Sequence, residues 1–302
     1  MALKWDQKDK LAWFLKQKIQ RNYQVDIVNR LQTFAADNAD FMLCEYAKLD
    51  HAELAPQLNY PLYLLKSKNW QAHKPSVLIT AGVHGYETSG ILGAIDFLET
   101  QASRYNKNFN IVVVPCVSPW GYETINRWDP ETIDPNRSFS KNGKSQGSLA
   151  LMQAIADLQT TWLVHFDLHE TTNSDEHEFR PALAARDGLS YIESHIPDGF
   201  YLVGDTENPQ PDFQKAMIDA VQKVTHIAPA DAQGRIIGEP ITQKGVINYA
   251  CEKLALCTGF TKATFNSTTE VYPDSNRICS ATCIKAQVVA IQSGLEYLLK
   301  IK

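Results

Sequence analysis

The sequence predicts an α/β protein with a largely parallel sheet covered by helices on both faces. Short apolar, β-branched runs alternate with stretches whose apolar residues recur at helical spacing, along most of the 302-residue chain. The opening strand-like runs follow one another with no helix between them, so part of the sheet is expected to be antiparallel. No linker or internal repeat interrupts the pattern. Residues 1–302 are therefore expected to form a single catalytic-sized domain.

Residues 7–36 carry Leu11, Phe14, Leu15 and Ile19, then Val25, Val28 and Leu31, at helical spacing. The runs 41–46 and 61–66 read as strands, and Ser76-Val77-Leu78-Ile79-Thr80 as a buried third. A helix follows over 88–101, then the strand Ile111-Val112-Val113-Val114-Pro115. Between 118 and 146 the pattern dissolves into Pro, Gly, Asn and charge, and a loop of that length in a compact domain is usually functional. A helix over 148–158 precedes the strand 162–168. Residues 173–199 read as polar and mixed, 212–224 as helix, 263–269 as strand and 282–299 as a last helix.

Composition narrows the function classes. Hydrophobic residues make up 44% of the chain, enough for a sizeable core, and the formal net charge of -5 argues against wholesale nucleic-acid binding. Charges fill the first ten residues, where a signal peptide needs an apolar core. No apolar run approaches the ~18 residues needed to cross a bilayer. A soluble, cytoplasmic protein without membrane partners is expected. The six cysteines include no Cys-x-x-Cys pair and read as reduced thiols rather than a disulfide framework.

The chemistry starts at Ala81-Gly82-Val83-His84-Gly85-Tyr86-Glu87, between the third strand and a helix. Imidazole and carboxylate three residues apart on such a turn can both reach one Zn²⁺ ion. His169, in Asp167-Leu168-His169-Glu170, ends a later strand and would complete a His-Glu-His set, leaving a fourth position for water. His165 lies inside that strand and reads as a packed core histidine. The long loop holds Arg127 and the run Asp134-Pro135-Asn136-Arg137. A guanidinium can grip a substrate carboxylate through two parallel bonds, and a second one near the metal can stabilise an oxyanion. Read alone, either arginine is a solvated loop charge. His84, the long loop, His169 and Glu270 all follow strand candidates, so they can converge at the carboxyl ends of the strands.

In this order the residues resemble the zinc carboxypeptidase superfamily: His-x-x-Glu, Asn-Arg in a long loop, a lone His after a strand, and a Glu on a late strand. The resemblance covers nearly the whole chain. It implies a three-layer α/β/α sandwich around a mixed, mostly parallel eight-stranded sheet. It also implies one bound Zn²⁺ held by His84, Glu87 and His169, although other divalent metals suit the same donors. Carried over by position, Asp134 would hydrogen-bond the imidazole of His84. Arg127 would stabilise the oxyanion, Asn136 and Arg137 would grip a terminal carboxylate, and Glu270 would be the general base.

Some positions depart from the pattern. Ser118-Pro119-Trp120-Gly121 stands where the family often has Asn-Pro-Asp-Gly, and Pro135 interrupts its Asp-x-Asn-Arg. Asp167-Leu168-His169 followed by Thr171 is closer to the aspartoacylase and succinylglutamate desuccinylase branch, which cleaves acyl groups from amino acids. The pocket tyrosine has no clear match. Tyr249 has the right distance from Glu270, but the run 245–249 aligns better with the pocket wall, which would turn Ile247 to the substrate side chain. Arg180 could supplement Arg137 or neutralise the acidic run 175–178, which itself reads as a solvated loop or a second metal site. The expected activity is zinc-dependent hydrolysis of a C-terminal peptide bond. The alternatives are deacylation of N-acyl amino acids and a zinc-binding protein of this fold without turnover.

Overall fold

Three strands that lie side by side in the middle of the sheet carry His169 and Glu270 and lead into His84 and Glu87. The computed structural model describes residues 3–193 and 195–301. Its strands are β1 (Phe41–Asp50), β2 (Asn59–Ser67), β3 (Ser76–Ala81), β4 (Asn110–Val114), β5 (Trp162–Glu170), β6 (Tyr201–Asp205), the two-residue strands β7 (Arg235–Ile236) and β8 (Glu239–Pro240), β9 (Val246–Tyr249) and β10 (Phe265–Val271). All but β7 and β8 join one eight-stranded sheet in the order β1-β2-β4-β3-β5-β10-β6-β9. The pairs β3–β4, β3–β5, β5–β10 and β6–β9 are parallel. The pairs β1–β2, β2–β4 and β6–β10 are antiparallel. The antiparallel start predicted from the helix-free opening is present.

The helices are α1 (Gln7–Phe14), α2 (Asn29–Asp37), α3 (Thr88–Phe97), α4 (Ser103–Asn106), α5 (Pro119–Thr124), α6 (Gln146–Asp157), α7 (Arg180–Asp187), α8 (Pro211–Val221) and α9 (Ser280–Lys300). Strand alternation splits the core into two layers. Val77, Ile79, Val113 and Phe166 face Ile91 and Ile95 of α3, Met217 of α8, and Ile291 and Leu295 of α9. Leu78, Val112 and Val114 point the other way, toward Leu151 and Ile155 of α6. This is the expected α/β/α sandwich around a mixed sheet. Among the described residues no helix is long and apolar enough to cross a membrane.

Three expectations change. The helical stretch 7–36 divides into α1 and α2, and α1 buries none of its residues. The region 173–199 is not simply mixed loop, because α7 lies within it. Strands β6 and β9 were not expected. Gly204 sits inside β6 and reads as a breaker, yet a Cβ there would lie 2.5 Å from both Asn248 Oδ1 and Gln214 Nε2. The glycine is needed because neighbouring side chains approach the strand that closely.

Candidate metal centre

Adjacent parallel strands bring the site together before any side chain is considered. Thr80 at the end of β3 pairs with Asp167 of β5, and His169 of β5 pairs with Glu270 of β10. The turn after β3 is forced tight: Gly82 has a φ of +60°, and a Cβ on Gly85 would lie 2.1 Å from the backbone nitrogen of Tyr122. Only glycine tolerates both demands. The turn ends at Glu87, the residue that caps α3, so His84 and Glu87 project from a rigid strand-to-helix corner.

Their side chains meet that of His169 in a buried triangle. His84 Nδ1 lies 2.8 Å from Glu87 Oε1, and His169 Nδ1 lies 2.7 Å from Glu87 Oε2. Ligand atoms of the three residues all fall within 4.8 Å of one another. Glu87 Oε2 is buried yet has no hydrogen bond of proper geometry. Such an oxygen is costly to leave unpaired. One imidazole nitrogen at each oxygen of the Glu87 carboxylate makes a donor set that fits a divalent cation of the zinc type.

The far nitrogen of each imidazole faces its own carboxylate. His84 Nε2 is 3.0 Å from Asp134 Oδ1, and His169 Nε2 is 2.8 Å from Asp167 Oδ2. These contacts fix ring orientation and leave Nδ1 directed inward, the usual support of metal-binding histidines. Burial alone would raise the Glu87 carboxyl, but the imidazoles of His169 and His84 outweigh it and hold the group at about 2. Burial alone would lower His169, but Glu87 and Asp167 outweigh it and raise it well above the ordinary histidine value.

Asp134 also accepts from Arg127 Nε at 3.2 Å and from the backbone of Asn136 at 2.9 Å. Arg127 Nη1 donates to Asp175 Oδ1 at 3.1 Å. Tyr86 Oη donates to the same oxygen at 2.8 Å. Asp175 is therefore neither a solvated loop charge nor part of a second metal site; it is a buried brace for Arg127. Among the described residues, His84, Glu87 and His169 form the one converging group of metal-ligating side chains.

A cavity of about 550 Å³ opens onto this centre. Glu270 lines it, as do Arg127, Asn136, Arg137 and Arg180. The Glu270 carboxylate accepts from Thr171 Oγ1 at 2.9 Å, and that hydroxyl meets Tyr201 Oη at 2.8 Å. Burial raises Glu270 to about 8. Asn136 is buried, with its Oδ1 accepting from the backbone of Cys257 at 2.8 Å, while Arg137 is exposed at the cavity mouth and donates to Asn136 O at 2.7 Å. Ile247 is a correction. It has no exposed surface and packs in a cluster with Val203 and Ile236, so no substrate can touch it. Tyr249, two residues on and on the same face of β9, lines the cavity instead.

Sequence reasoning missed Asp167, Asp175, Tyr86, Thr171 and Tyr201. Asp167 had a usable signal, because residues two apart on a strand share a face. Asp175 and Tyr201 come to the site only through tertiary packing. His165, by contrast, is the expected core histidine, fully buried and 2.9 Å from Thr80 Oγ1.

Residues 73–193 match the succinylglutamate desuccinylase/aspartoacylase catalytic domain. Comparison with curated protein sequences gives no match. Solved structures share the fold. A candidate metallopeptidase from Shewanella amazonensis is 21% identical, with a TM-score of 0.69 over 94% of this chain and 99% of its own. A metallo-carboxypeptidase from Burkholderia cenocepacia is 16% identical, with a TM-score of 0.62 over 91% of this chain and 69% of its own. A metallo-carboxypeptidase from Pseudomonas aeruginosa, solved in complex with (2-guanidinoethylmercapto)succinic acid, is 13% identical, with a TM-score of 0.60 over 91% of this chain and 68% of its own.

Proposed function

We propose that this chain is a metallohydrolase of the metallo-carboxypeptidase superfamily, with features of the succinylglutamate desuccinylase/aspartoacylase branch, and that it hydrolyses a C-terminal peptide bond in a zinc-dependent reaction. The observation that carries the reading is the buried His84–Glu87–His169 triangle facing the same cavity as Glu270. When bound, zinc held by those three side chains would supply Lewis acidity toward the scissile carbonyl and acidify water.

The other steps belong to side chains. Glu270 accepts a proton from the attacking water and delivers it to the leaving amine. Thr171 and Tyr201 hold its carboxylate through the hydrogen-bond relay on Oε2, which leaves Oε1 for that exchange. Arg127 has Nε and Nη1 engaged by Asp134 and Asp175, so Nη2 is left to donate to the oxygen that gains charge. Its bracing carboxylates fix the guanidinium before substrate arrives. Asn136 and Arg137 receive the terminal carboxylate, with Arg180 beside them, and Tyr249 flanks the side chain of the last residue.

One observation favours a second reading. The match over 73–193 points to cleavage of N-acyl amino acids, which present the same amide next to a carboxylate. A paired assay of metal-loaded protein on blocked dipeptides and on N-acetyl and N-succinyl amino acids separates the two. Release from dipeptides is expected. Release from the acyl amino acids alone would move the protein to the deacylase reading. Glu270→Gln is expected to abolish turnover on either set while zinc content stays near one per chain, and an active Glu270→Gln protein would overturn the mechanism.

A further inference from the structure

We infer that the cavity wall built by the N-terminal segment is a second anion-recognising subsite, which takes acidic residues on the acyl side of the scissile bond and so makes acidic peptides the preferred substrates. The inference rests on the peptidase reading above.

Helix α1 is eight residues long and fully buries none of them, so its length does not hold it in place, and only Trp13 and Phe14 at its end pack against the core. Two devices hold it. Asp6 and Asp9 cap its start reciprocally, with Asp6 Oδ1 accepting from the Asp9 backbone and Asp9 Oδ2 from the Asp6 backbone, both at 3.0 Å. Tryptophan rings fasten it to the body: Trp5 and Trp13 meet Trp128 with centroids 6.2 and 5.4 Å apart, and Trp5 N donates to Arg186 O at 3.0 Å. The segment is thus fixed over Trp128, a residue of the cavity wall.

That placement adds Lys4 and Lys10 to the cavity lining. Among the described residues, neither ammonium has an ion pair or a side-chain hydrogen bond. Arg186, stacked 4.9 Å above the Trp128 ring, is already neutralised by Asp187 at 2.9 Å. The cavity's carboxylates are likewise engaged elsewhere: Asp134 by His84 and Arg127, Asp175 by Arg127 and Tyr86, Glu170 by the Ser89 backbone and Glu270 by Thr171. Neither lysine on this wall therefore has a direct carboxylate partner, in a chain whose net charge is -5.

The wall is separate from the Arg137 group. Arg137 and Arg180 both act electrostatically on Tyr249 and stand at its side of the cavity. Lys4 and Lys10 line the cavity from the segment that Trp5 and Trp13 fasten to Trp128. Arg127, next to Trp128 in the chain, reaches through Asp134 toward His84 and so lies between the groups. A peptide with its terminal carboxylate at Arg137 and its scissile carbonyl at Arg127 extends toward the lysines, where a carboxylate side chain gains two ammonium partners near a low-dielectric indole wall.

Two peptides that differ only in the residue before the C-terminal one, Glu in one and Gln in the other, test this. Wild-type protein should favour the Glu peptide in kcat/KM by about 5-fold at low salt, mostly through KM, and the preference should shrink as salt rises. In Lys4→Gln/Lys10→Gln the Glu peptide should fall to the level of the Gln peptide. Equal cleavage of both peptides by wild-type protein would overturn the subsite and leave the peptidase reading standing. If neither peptide is cleaved, the peptidase reading fails, and binding decides the subsite alone. Titrating the Glu peptide into Glu270→Gln protein and following tryptophan fluorescence should give salt-sensitive binding that the lysine substitutions weaken. No binding, or binding indifferent to those lysines, would overturn the subsite.

Discussion

His169 Nε2 and Asp167 Oδ2 lie 2.8 Å apart on the same strand, two residues from each other. Asp167 is held in turn by Thr80 Oγ1 at 2.6 Å, so the imidazole is oriented by a carboxylate that cannot swing. Asp167→Asn keeps the volume and removes the charge. It should weaken metal affinity by roughly 10- to 100-fold while the fold persists. Competition against a chelator of known affinity measures this, and unchanged affinity would remove Asp167 from the metal's support.

Metal uptake should depend on pH with a defined sign. Burial disfavours a charged His169, but Glu87 and Asp167 outweigh it and raise the imidazole well above its ordinary value. The metal-free site therefore keeps a proton on His169 at neutral pH, and a metal must displace it. Apparent affinity should rise with pH by about tenfold per unit while that proton is in place. Calorimetry in buffers of different ionisation enthalpy should register proton release. An affinity flat between pH 6 and 8 would refute the assignment.

His165 makes a separate prediction about stability. Burial lowers it from 6.5 to about 4. Between those values the unfolded chain binds a proton that the folded chain refuses. Its contribution is thus fully present above pH 6.5 and is lost as pH falls toward 4, a change of about 3 kcal/mol. Urea unfolding of wild-type and His165→Gln proteins at pH 7 and pH 4.5 isolates it. The wild-type protein should lose more stability on acidification than the variant, and equal losses would contradict the burial argument.

Gly85 tests the corner that presents the first two site residues. A methyl group there would lie 2.1 Å from Tyr122 N and 2.3 Å from Ser118 O, both backbone atoms. Neither can yield without moving α5. Gly85→Ala should cost at least ~3 kcal/mol in urea unfolding and lower metal occupancy together with stability. A variant as stable as the parent would mean that the corner relaxes freely.

The layers and the central strands were legible because runs such as 76–80 and 162–168 are apolar, short and bounded by clear breaks. The edge beyond β10 was not. Strand β6 contains a glycine demanded by crowding, and β9 has only four residues, so neither leaves a periodic trace. Within the site, His84, Glu87 and His169 stood out because each falls at a boundary between elements, where side chains converge, while Asp134 stood out only through the family resemblance. Ile247 was misplaced for a different reason. The likeness of run 245–249 to the family's pocket wall put it toward the substrate, but only packing reveals that Ile236 and Val203 share its cluster and leave it no surface. Asp175 looked like solvated charge because its partners, Tyr86 and Arg127, lie 89 and 48 residues away.

The position of β10 has a consequence for biogenesis. It is the last strand of the sheet in chain order, yet it sits between β5 and β6. Until residues 265–271 have left the ribosome, β6 and β9 have no sheet to join, and the cavity lacks Glu270. A nascent chain can therefore gather His84, Glu87 and His169 early, while the cavity stays incomplete until the strand that closes the sheet delivers Glu270. The topology ties completion of the cavity to completion of the sheet.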